Sequence, residues 1–289
     1  MTSLDAINKL LRTEHAVLTY FGVVVGELLV LGTGMFSNWP LLLLGIGPAL
    51  ITAGAFALND YHGVETDTAN NRRDRPIVSG QITRSAALYI AVALMTIGLF
   101  LTLLSPLRAF AVAVVLTVLS LAYDPILKKI PLLGNAFIAF TMSAPFVYGA
   151  LALPVPTIPV SVLLLSAIAF FAGVGREILK TIMDVKGDKL IGAVTLPMLI
   201  GSRGAVIIST LFFIVAIVLS LLPVLPHLTP SAFPLVYTIF ILAADALFIY
   251  SSAKAFKSPD DVQTLQECRN YTLAAMGLGV VAFLALAIS

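Results

Sequence analysis

Charged residues are scarce in this chain. They make up 11% of its 289 residues, whereas 59% are hydrophobic. Soluble domains typically carry about 25% charged and roughly 45–50% apolar residues, so this chain has too little charge to cover a surface that faces water. The shortage excludes an ordinary soluble domain and indicates a protein that is embedded in membrane lipid.

Cysteine is almost absent, and the apolar runs lack alternation. Cys268 is the single cysteine of the chain, which excludes an internal disulfide and a cysteine-based metal cage. The strands of a membrane barrel would require apolar residues that alternate with polar ones, whereas the apolar runs of this chain are unbroken. We therefore expect an all-α membrane protein whose surroundings are lipids, with no nucleic acid among its partners.

Nine segments are apolar enough to be membrane-spanning helices. A helix needs roughly 20 residues to cross about 30 Å of hydrocarbon. The predicted spans are residues 16–36, 40–61, 86–104, 109–123, 132–153, 160–178, 205–225, 232–253 and 271–288. They predict a single domain over residues 1–289, with about nine transmembrane helices around a central cavity.

The positive charges fall almost entirely on one side of these spans. If the nine spans cross the membrane one after another, one side of the membrane holds only Arg108. The opposite side holds the other sixteen lysines and arginines, which are Lys9, Arg12, Arg72, Arg73, Arg75, Arg84, Lys128, Lys129, Arg176, Lys180, Lys186, Lys189, Arg203, Lys254, Lys257 and Arg269. Because cytoplasmic loops are enriched in lysine and arginine, we expect a multi-pass cell-membrane protein with a cytoplasmic N-terminus and its charged motifs on the cytoplasmic side.

Acidic residues form two clusters on this same side. Residues 59–67 read NDYHGVETD at the end of the second span. If the helix continues there, Asn59 and Asp60 are nearly whole turns away from Asp67. Residues 176–188 carry Asp184 and Asp188 at positions i and i+4, hence on one helix face.

Carboxylates stacked in this way repel one another unless a cation lies between them. Oxygen ligands suit Mg²⁺, which prefers one or two carboxylates together with waters and substrate phosphates. Neighbouring arginines and lysines suit the remaining phosphate oxygens. The clusters therefore predict a magnesium and pyrophosphate site at the mouth of an apolar bundle, and interfacial salt bridges that anchor loops are the alternative.

Three motifs resemble those of the UbiA superfamily of intramembrane prenyltransferases. The family pattern NDxxDxxxD, followed by an Asn-Arg-x-x-Arg-Pro-Ile stretch, is matched by NDYHGVETD and NRRDRPIVSG. A second motif is matched by DVKGDKLIGAVTLP, and a third by YDPILKK at residues 123–129. The resemblance covers most of the chain, and the motifs stand in the family's order at the ends of predicted helices.

The resemblance implies a role for each matching residue. The expected magnesium ligands are Asn59, Asp60, Asp67, Asp184 and Asp188. The four aspartates are also the expected catalytic residues. The expected pyrophosphate contacts are Arg12, Asn59, Arg72, Arg75, Tyr123, Lys128 and Lys180. The middle carboxylate of the first motif is Gly63 here, so one magnesium ion would be held more weakly, or by Asp60 or Glu65 instead.

The resemblance also implies a reaction. The chain would transfer a prenyl group from a prenyl pyrophosphate through a transient carbocation, which apolar walls protect from water. The string REILKTIMDVKGDKLIGAVTLP is most similar to archaeal digeranylgeranylglyceryl phosphate synthases, which add a second geranylgeranyl chain to geranylgeranylglyceryl phosphate in ether-lipid synthesis. An aromatic acceptor of a quinone or chlorophyll-type pathway is the alternative. Donor length and oligomeric state stay open.

Two other classes of membrane protein match the placement of the charged residues less well. Secondary transporters place their sites near the bilayer midplane, where this chain has only Glu27 and Asp245. CDP-alcohol phosphotransferases carry one contiguous acidic motif, whereas this chain has two separate clusters. For Glu27 the alternatives are a place on the acceptor pocket wall, or an acid inside the bundle that is kept neutral or bonded to Ser, Thr or Tyr hydroxyls. Asp245 is expected to be structural.

Overall fold

The computed structural model describes residues 3–154, 156–224 and 233–288, and within these ranges it contains helices and turns but no strand. The helices are α1 Ser3–Leu11, α2 Thr13–Leu31, α3 Ile46–His62, α4 Val64–Ala69, α5 Arg84–Thr102, α6 Leu107–Tyr123, α7 Leu133–Leu151, α8 Val160–Leu190, α9 Leu196–Ser220, α10 Pro234–Lys257 and α11 Val262–Ala287. A 3₁₀ segment, Gly32–Gly45, joins α2 to α3. The prediction of an all-α fold is confirmed.

Each of the nine predicted spans overlaps one of these helices. Within the described ranges, six helical stretches are long and apolar enough to cross a membrane, and α6 is a shorter apolar helix. The six are Thr13–His62, Arg84–Thr102, Val160–Leu190, Leu196–Val224, Pro234–Lys257 and Val262–Ala287. Two predicted span ends, Leu225 and Ala232, lie outside the described residues. The chain is a multi-pass membrane protein; nine crossings and a cytoplasmic N-terminus stay predictions.

Large apolar side chains cover the outside of the bundle. Leu107 on α6, Tyr89 and Phe100 on α5, Leu211 on α9 and Ile239 on α10 are all exposed. A soluble protein rarely exposes so continuous an apolar surface. Lipid tails are the solvent that this surface suits, so the exposed residues support the membrane assignment independently of helix length.

Glycines let the central helices approach closely. A Cβ atom built on Gly26 of α2 would lie 2.1 Å from the carbonyl oxygen of Phe146 on α7. A Cβ atom on Gly149 of α7 would lie 2.1 Å from the carbonyl oxygen of Val23. Such contact between backbones is the usual means of packing helices in lipid, where the hydrophobic effect does not drive helices together.

The first acidic cluster does not lie on one continuous helix. The condition under which Asn59, Asp60 and Asp67 would share one helix face is therefore not met. The α3 helix ends at His62, Gly63 has φ −81° and ψ 3°, and α4 begins at Val64. Glycine disfavours the helix interior because it has the most backbone freedom to lose. The break redirects the chain, so that α4 packs against the end of α8.

Eight of the described helices enclose the interior of the bundle. The α2 helix packs on α3 and α7, α8 packs on α7 and α9, and α11 packs on α10, α8 and α2. Side chains of α2, α3, α6, α7, α8, α9, α10 and α11 border one large cavity. The expectation of a cavity within the bundle is met.

Candidate functional site

The two acidic clusters meet at one end of the bundle. There the ends of α3, α6 and α8 and the short α4 border a polar pocket of about 50 Å³. Its polar lining residues include Asn59, Asp67, Asn70, Arg72, Arg75, Tyr123, Lys128, Glu177, Lys180, Asp184 and Asp188. The fold therefore brings together every predicted site residue except Arg12 and Asp60, although the two clusters are more than a hundred residues apart in sequence.

Asn70 ties the two clusters together. Its Nδ2 donates to the carbonyl oxygen of Asp184 at 3.3 Å, and its Oδ1 accepts from the backbone N–H of Gly187 at 2.9 Å. Gly187 permits this contact, since a Cβ there would lie 2.5 Å from Asn70 Nδ2 and 2.6 Å from the carbonyl oxygen of Thr66. The distance between Asp67 on α4 and the aspartates of α8 is thus set by one amide and one glycine.

The oxygen atoms of this pocket fit a hard divalent cation. Asp188 Oδ1 is buried and has no hydrogen-bond partner. Asn59 donates through Nδ2 to Asp124 Oδ1 at 2.8 Å, which leaves its amide oxygen available as a ligand. In the described part of the chain, no three acidic, histidine or cysteine residues form a metal cage by themselves. That arrangement suits Mg²⁺, which fills its shell with waters and substrate phosphates.

Two arginines hold the carboxylates from the loop after α4. Arg72 Nε donates to Asp74 Oδ1 at 3.0 Å, and Arg72 Nη1 lies 3.7 Å from Asp184 Oδ1. Arg75 Nε lies 3.7 Å from Asp67 Oδ2. The two guanidinium groups stand beside the proposed metal ligands, where they can bind phosphate oxygens in a fork.

Asp60 departs from the predicted metal site. Its side chain is 1% exposed, accepts from Arg12 Nη2 at 2.8 Å and lies 3.4 Å from Arg75 Nη1. It borders neither the polar pocket nor the larger cavity, because successive residues of a helix point about 100° apart and Asn59 takes the pocket side. Glu65, the other alternative ligand, is exposed and pairs with Arg84 at 3.3 Å.

Lysines and a tyrosine complete the pocket wall. Lys128 Nζ lies 3.7 Å from Asp188 Oδ1. Lys180 Nζ donates to Glu177 Oε2 at 3.3 Å. Tyr123 borders both the pocket and the larger cavity, and its ring packs beside that of Phe137. These predicted contacts surround the space that a pyrophosphate would fill.

Burial and neighbouring charges shift pKa values at this end of the bundle. Burial raises the pKa of Asp67, and the opposing attraction of Arg75 is partly offset by repulsion from Asp60. Burial raises the pKa of Asp124 to about 6, although Lys128 attracts its negative charge. Burial lowers the pKa of Arg75 to about 10, helped by the charge of Arg12. Buried charge of both signs is therefore concentrated here, as is common at functional sites.

A larger cavity of about 210 Å³ continues from the polar pocket. The two share the residues Asn59, Arg75, Tyr123, Glu177 and Lys180. Around its mouth the larger cavity has further charged residues, which are Arg12, Glu14, Asp124, Arg176 and Arg269. Its depth is mostly apolar and includes Leu18, Ile51, Leu116, Phe146, Ile241 and Phe283. A cavity with one charged and one apolar end suits a substrate with a charged head and a hydrocarbon tail.

Of the two acids near the middle of predicted spans, Glu27 and Asp245, only Asp245 borders the cavity. Its Oδ2 accepts from Ser220 Oγ at 2.9 Å. Glu27 is fully buried away from the cavity wall, and neither of its oxygens has a hydrogen-bond partner. Glu27 is therefore neither on the pocket wall nor bonded to hydroxyls, which leaves the remaining alternative of an acid kept neutral inside the bundle.

Sequence reasoning left several residues of this site without a role. Asp124 lies inside the third motif and Asn70 directly precedes NRRDRPIVSG, so a search for amides and acids in and beside the motifs could have found them. Arg176 adjoins the second acidic cluster. Arg269 stands near the start of α11, far from every motif, and nothing in its local sequence marks it.

The chain is similar to known proteins over almost its whole length. The UbiA prenyltransferase family matches residues 19–286. A digeranylgeranylglyceryl phosphate synthase of Archaeoglobus fulgidus is 40% identical over 284 residues, which cover 98% of this chain and 95% of that protein. A structure from a study of digeranylgeranylglyceryl phosphate synthase in membranes has a TM-score of 0.68 and 25% identity, covering 100% of this chain and 99% of the other.

A structure of a UbiA homologue from Archaeoglobus fulgidus, solved with DMAPP and Mg²⁺ bound, has a TM-score of 0.62. The alignment covers 97% of this chain and 99% of the homologue at 17% identity. At that identity the likeness shows a shared fold.

Proposed function

The chain belongs to the UbiA prenyltransferase family, and from that premise we propose that it is a magnesium-dependent transferase of geranylgeranyl groups to geranylgeranylglyceryl phosphate. The observation that carries the proposal is the continuity of a polar pocket bordered by Asp67, Asp184 and Asp188 with a deep apolar cavity. One end suits a pyrophosphate head, and the other suits a prenyl tail.

In the proposed reaction, the pocket residues bind and orient the pyrophosphate. Asn59, Asp67, Asp184 and Asp188 would hold magnesium, which when bound neutralises charge on the departing pyrophosphate. Arg72, Arg75, Lys128 and Lys180 would bind the phosphate oxygens that the metal leaves free. Asp60 would act through Arg12 and Arg75, whose guanidinium groups it fixes, rather than as a ligand.

The apolar depth of the cavity would protect the reacting carbon from water. As the allylic C–O bond breaks, positive charge develops on the prenyl group, and a wet site would let water capture it. Side chains such as Leu116, Phe146 and Phe283 border this region. The acceptor hydroxyl then forms an ether bond to that carbon and loses its proton.

The acceptor proposal rests on the relatives. A protein that is 40% identical over almost the whole chain is a digeranylgeranylglyceryl phosphate synthase. The product in that name carries two geranylgeranyl groups, so its acceptor is a glyceryl phosphate that already bears one. We extend the same acceptor to this chain, with aromatic acceptors as the competing class.

We further propose one domain over residues 1–289, nine crossings and a cytoplasmic active site. The cavity is bordered by residues from Arg12 to Phe283, which makes separate domains implausible. Sixteen of seventeen lysines and arginines fall on the side of the acidic clusters. Arg108, the exception, donates from Nη2 to the carbonyl oxygen of Leu153, where α6 begins and α7 ends.

A transfer assay with the purified protein in liposomes tests the function. We would supply labelled geranylgeranyl pyrophosphate and offer geranylgeranylglyceryl phosphate, 4-hydroxybenzoate or a naphthoate acceptor. The expected result is labelled digeranylgeranylglyceryl phosphate that disappears when EDTA removes magnesium. A labelled aromatic product instead would overturn the acceptor, and product formation that withstands EDTA would overturn the metal requirement.

A further inference from the structure

The mouth of the larger cavity holds guanidinium groups whose Nε donors are not hydrogen-bonded. The Nε atoms of Arg12, Arg75 and Arg176 are each buried without a hydrogen-bond partner, and all three residues border the cavity. Buried donors are seldom left unpaired in folded proteins. Three of them around one cavity indicate a wall that is built for an anion.

The acids of this wall are shared between cations. Arg12 and Arg75 both contact the single carboxylate of Asp60, at 2.8 Å and 3.4 Å. Arg176 and Lys180 both contact Glu177, at 2.7 Å and 3.3 Å. Asp67 also lies 3.7 Å from Arg75 Nε, so three carboxylates serve four cations and positive charge remains in excess.

Arg269 adds a cation with no carboxylate beside it. Its Nη1 donates to Gln266 Oε1 at 3.4 Å, and no ion pair among the described residues includes it. It borders the cavity from α11, and Arg12 and Arg176 border the same cavity. Five cations border the mouth, whereas the acids that border it are Glu14, Asp124 and Glu177, so the balance there is positive.

Arg12 is held in place at some conformational cost. Its backbone lies in the left-handed region, with φ 45° between α1 and α2, which a residue with a side chain rarely adopts. Its guanidinium carbon stacks 4.4 Å from the centre of the Phe56 ring. Strained and stacked placement of a charged side chain on a cavity wall is typical of binding sites.

We propose that Arg176 and Arg269, which border the larger cavity together with Arg12 but do not line the metal pocket, form a second anion site that binds the phosphate of the acceptor. This inference rests on the proposed function, in which donor and acceptor each carry a phosphate group. The carboxylates of the polar pocket repel a second phosphate, so the acceptor phosphate needs cations that stand apart from the metal. Guanidinium groups bind a phosphate in a fork and fix its orientation.

Steady-state kinetics of Arg269→Gln tests the proposal. We expect the KM for geranylgeranylglyceryl phosphate to rise roughly tenfold or more, as for a lost charge-assisted hydrogen bond, while the KM for geranylgeranyl pyrophosphate stays unchanged. Arg269→Lys should recover part of the loss. The control is Arg203→Gln, which removes an exposed arginine of α9 that stacks on Phe256 outside the cavity.

A neutral acceptor, geranylgeranylglycerol, separates phosphate binding from general damage. The wild-type protein should prefer the phosphorylated acceptor in kcat/KM, and Arg269→Gln should reduce that preference about tenfold. An unchanged preference, or a parallel rise in the donor KM, would overturn the second anion site and leave the proposed function standing. No wild-type transfer to the phosphorylated acceptor would overturn the function itself, and with it this inference.

Discussion

The two ends of the central cavity differ in how their side chains are satisfied. At the mouth, carboxylates and guanidinium groups lie 2.7–3.7 Å apart in shared pairs, and several buried polar atoms have no hydrogen-bond partner. In the depth, the single carboxylate, Asp245, is hydrogen-bonded to Ser220 and surrounded by apolar neighbours such as Ile241. The mouth therefore has polar groups available to a charged ligand, whereas the carboxylate in the depth already has its hydrogen-bond partner.

The difference separates residues that act on substrate from residues that only shape the space. Buried charge is expensive in a membrane protein and is retained where it has a function. A hydrogen-bonded polar group in an apolar wall can often be replaced by an apolar one at little cost. Substitutions at the mouth should therefore affect catalysis far more than substitutions of similar size in the depth.

Removing one carboxylate of α8 should have the largest effect. Asp184→Ala or Asp188→Ala deletes a proposed magnesium ligand, and we expect kcat/KM to fall roughly a thousandfold or more. Folding should persist, because these side chains line a pocket rather than the apolar core. The assay is transfer of labelled geranylgeranyl groups, with Asp260→Ala, an exposed acid, as the control. Near-normal turnover in both variants would remove these residues from the mechanism.

Separating the two acidic clusters should have the next largest effect. In Gly187→Ala the new methyl group overlaps Asn70 Nδ2 and the carbonyl oxygen of Thr66, so α4 and Asp67 must move away from α8. Such overpacking costs about 1–3 kcal/mol, and we expect activity to fall roughly 10–100-fold. The measurements are thermal unfolding and turnover. The matched control is Gly277→Ala, where no atom lies within 4 Å of a new Cβ; equal effects would refute the packing role.

Restoring the family carboxylate at position 63 should strengthen magnesium binding at the mouth. In Gly63→Asp the new side chain begins 3.5 Å from Asp67 Oδ2 and 2.9 Å from the carbonyl oxygen of Asn59. We expect half-maximal activity at a magnesium concentration several-fold lower, because another oxygen ligand becomes available. A magnesium titration measures this, and Gly63→Ala reports the effect of the backbone change alone. Identical titrations for the two variants would show that the carboxylate does not reach the metal.

Changing the acid of the depth should have the smallest effect. In Asp245→Leu, Ser220 loses its carboxylate partner but keeps its bond to the carbonyl oxygen of Ile217. We expect turnover within about twofold of wild type and unchanged or higher thermal stability, since an apolar replacement of a buried polar group is often tolerated. A loss of activity comparable to that of the mouth variants would erase the distinction between the two ends.

Much of the fold was predictable from composition and periodicity. The nine apolar segments fall on helices because lipid requires long unbroken apolar runs. The break at Gly63 was not predicted. The spacing of the acids suits a continuous helix, whereas the low helix propensity of the glycine favours the break that the structure has. The motifs predicted most of the pocket because residues at adjoining helix ends converge in a bundle.

The details that sequence did not provide depend on contacts between distant segments. Asp60 was expected to bind the metal, yet its carboxylate accepts a hydrogen bond from Arg12, which lies 48 positions earlier in the sequence. Arg269 borders the cavity only because α11 packs against α2 and α8. Such pairings follow from helix packing, which no local pattern around these residues records.

The most direct test of the account is equilibrium binding of geranylgeranyl pyrophosphate to the wild-type protein, with magnesium or with EDTA, and to Asp67→Ala and Asp184→Ala. Because α4 and α8 each supply one of these carboxylates to a single pocket, binding should be tight with magnesium and should weaken strongly with EDTA or when either carboxylate is removed. Equal affinity with and without magnesium, or unchanged affinity in both variants, would contradict a shared metal and pyrophosphate site.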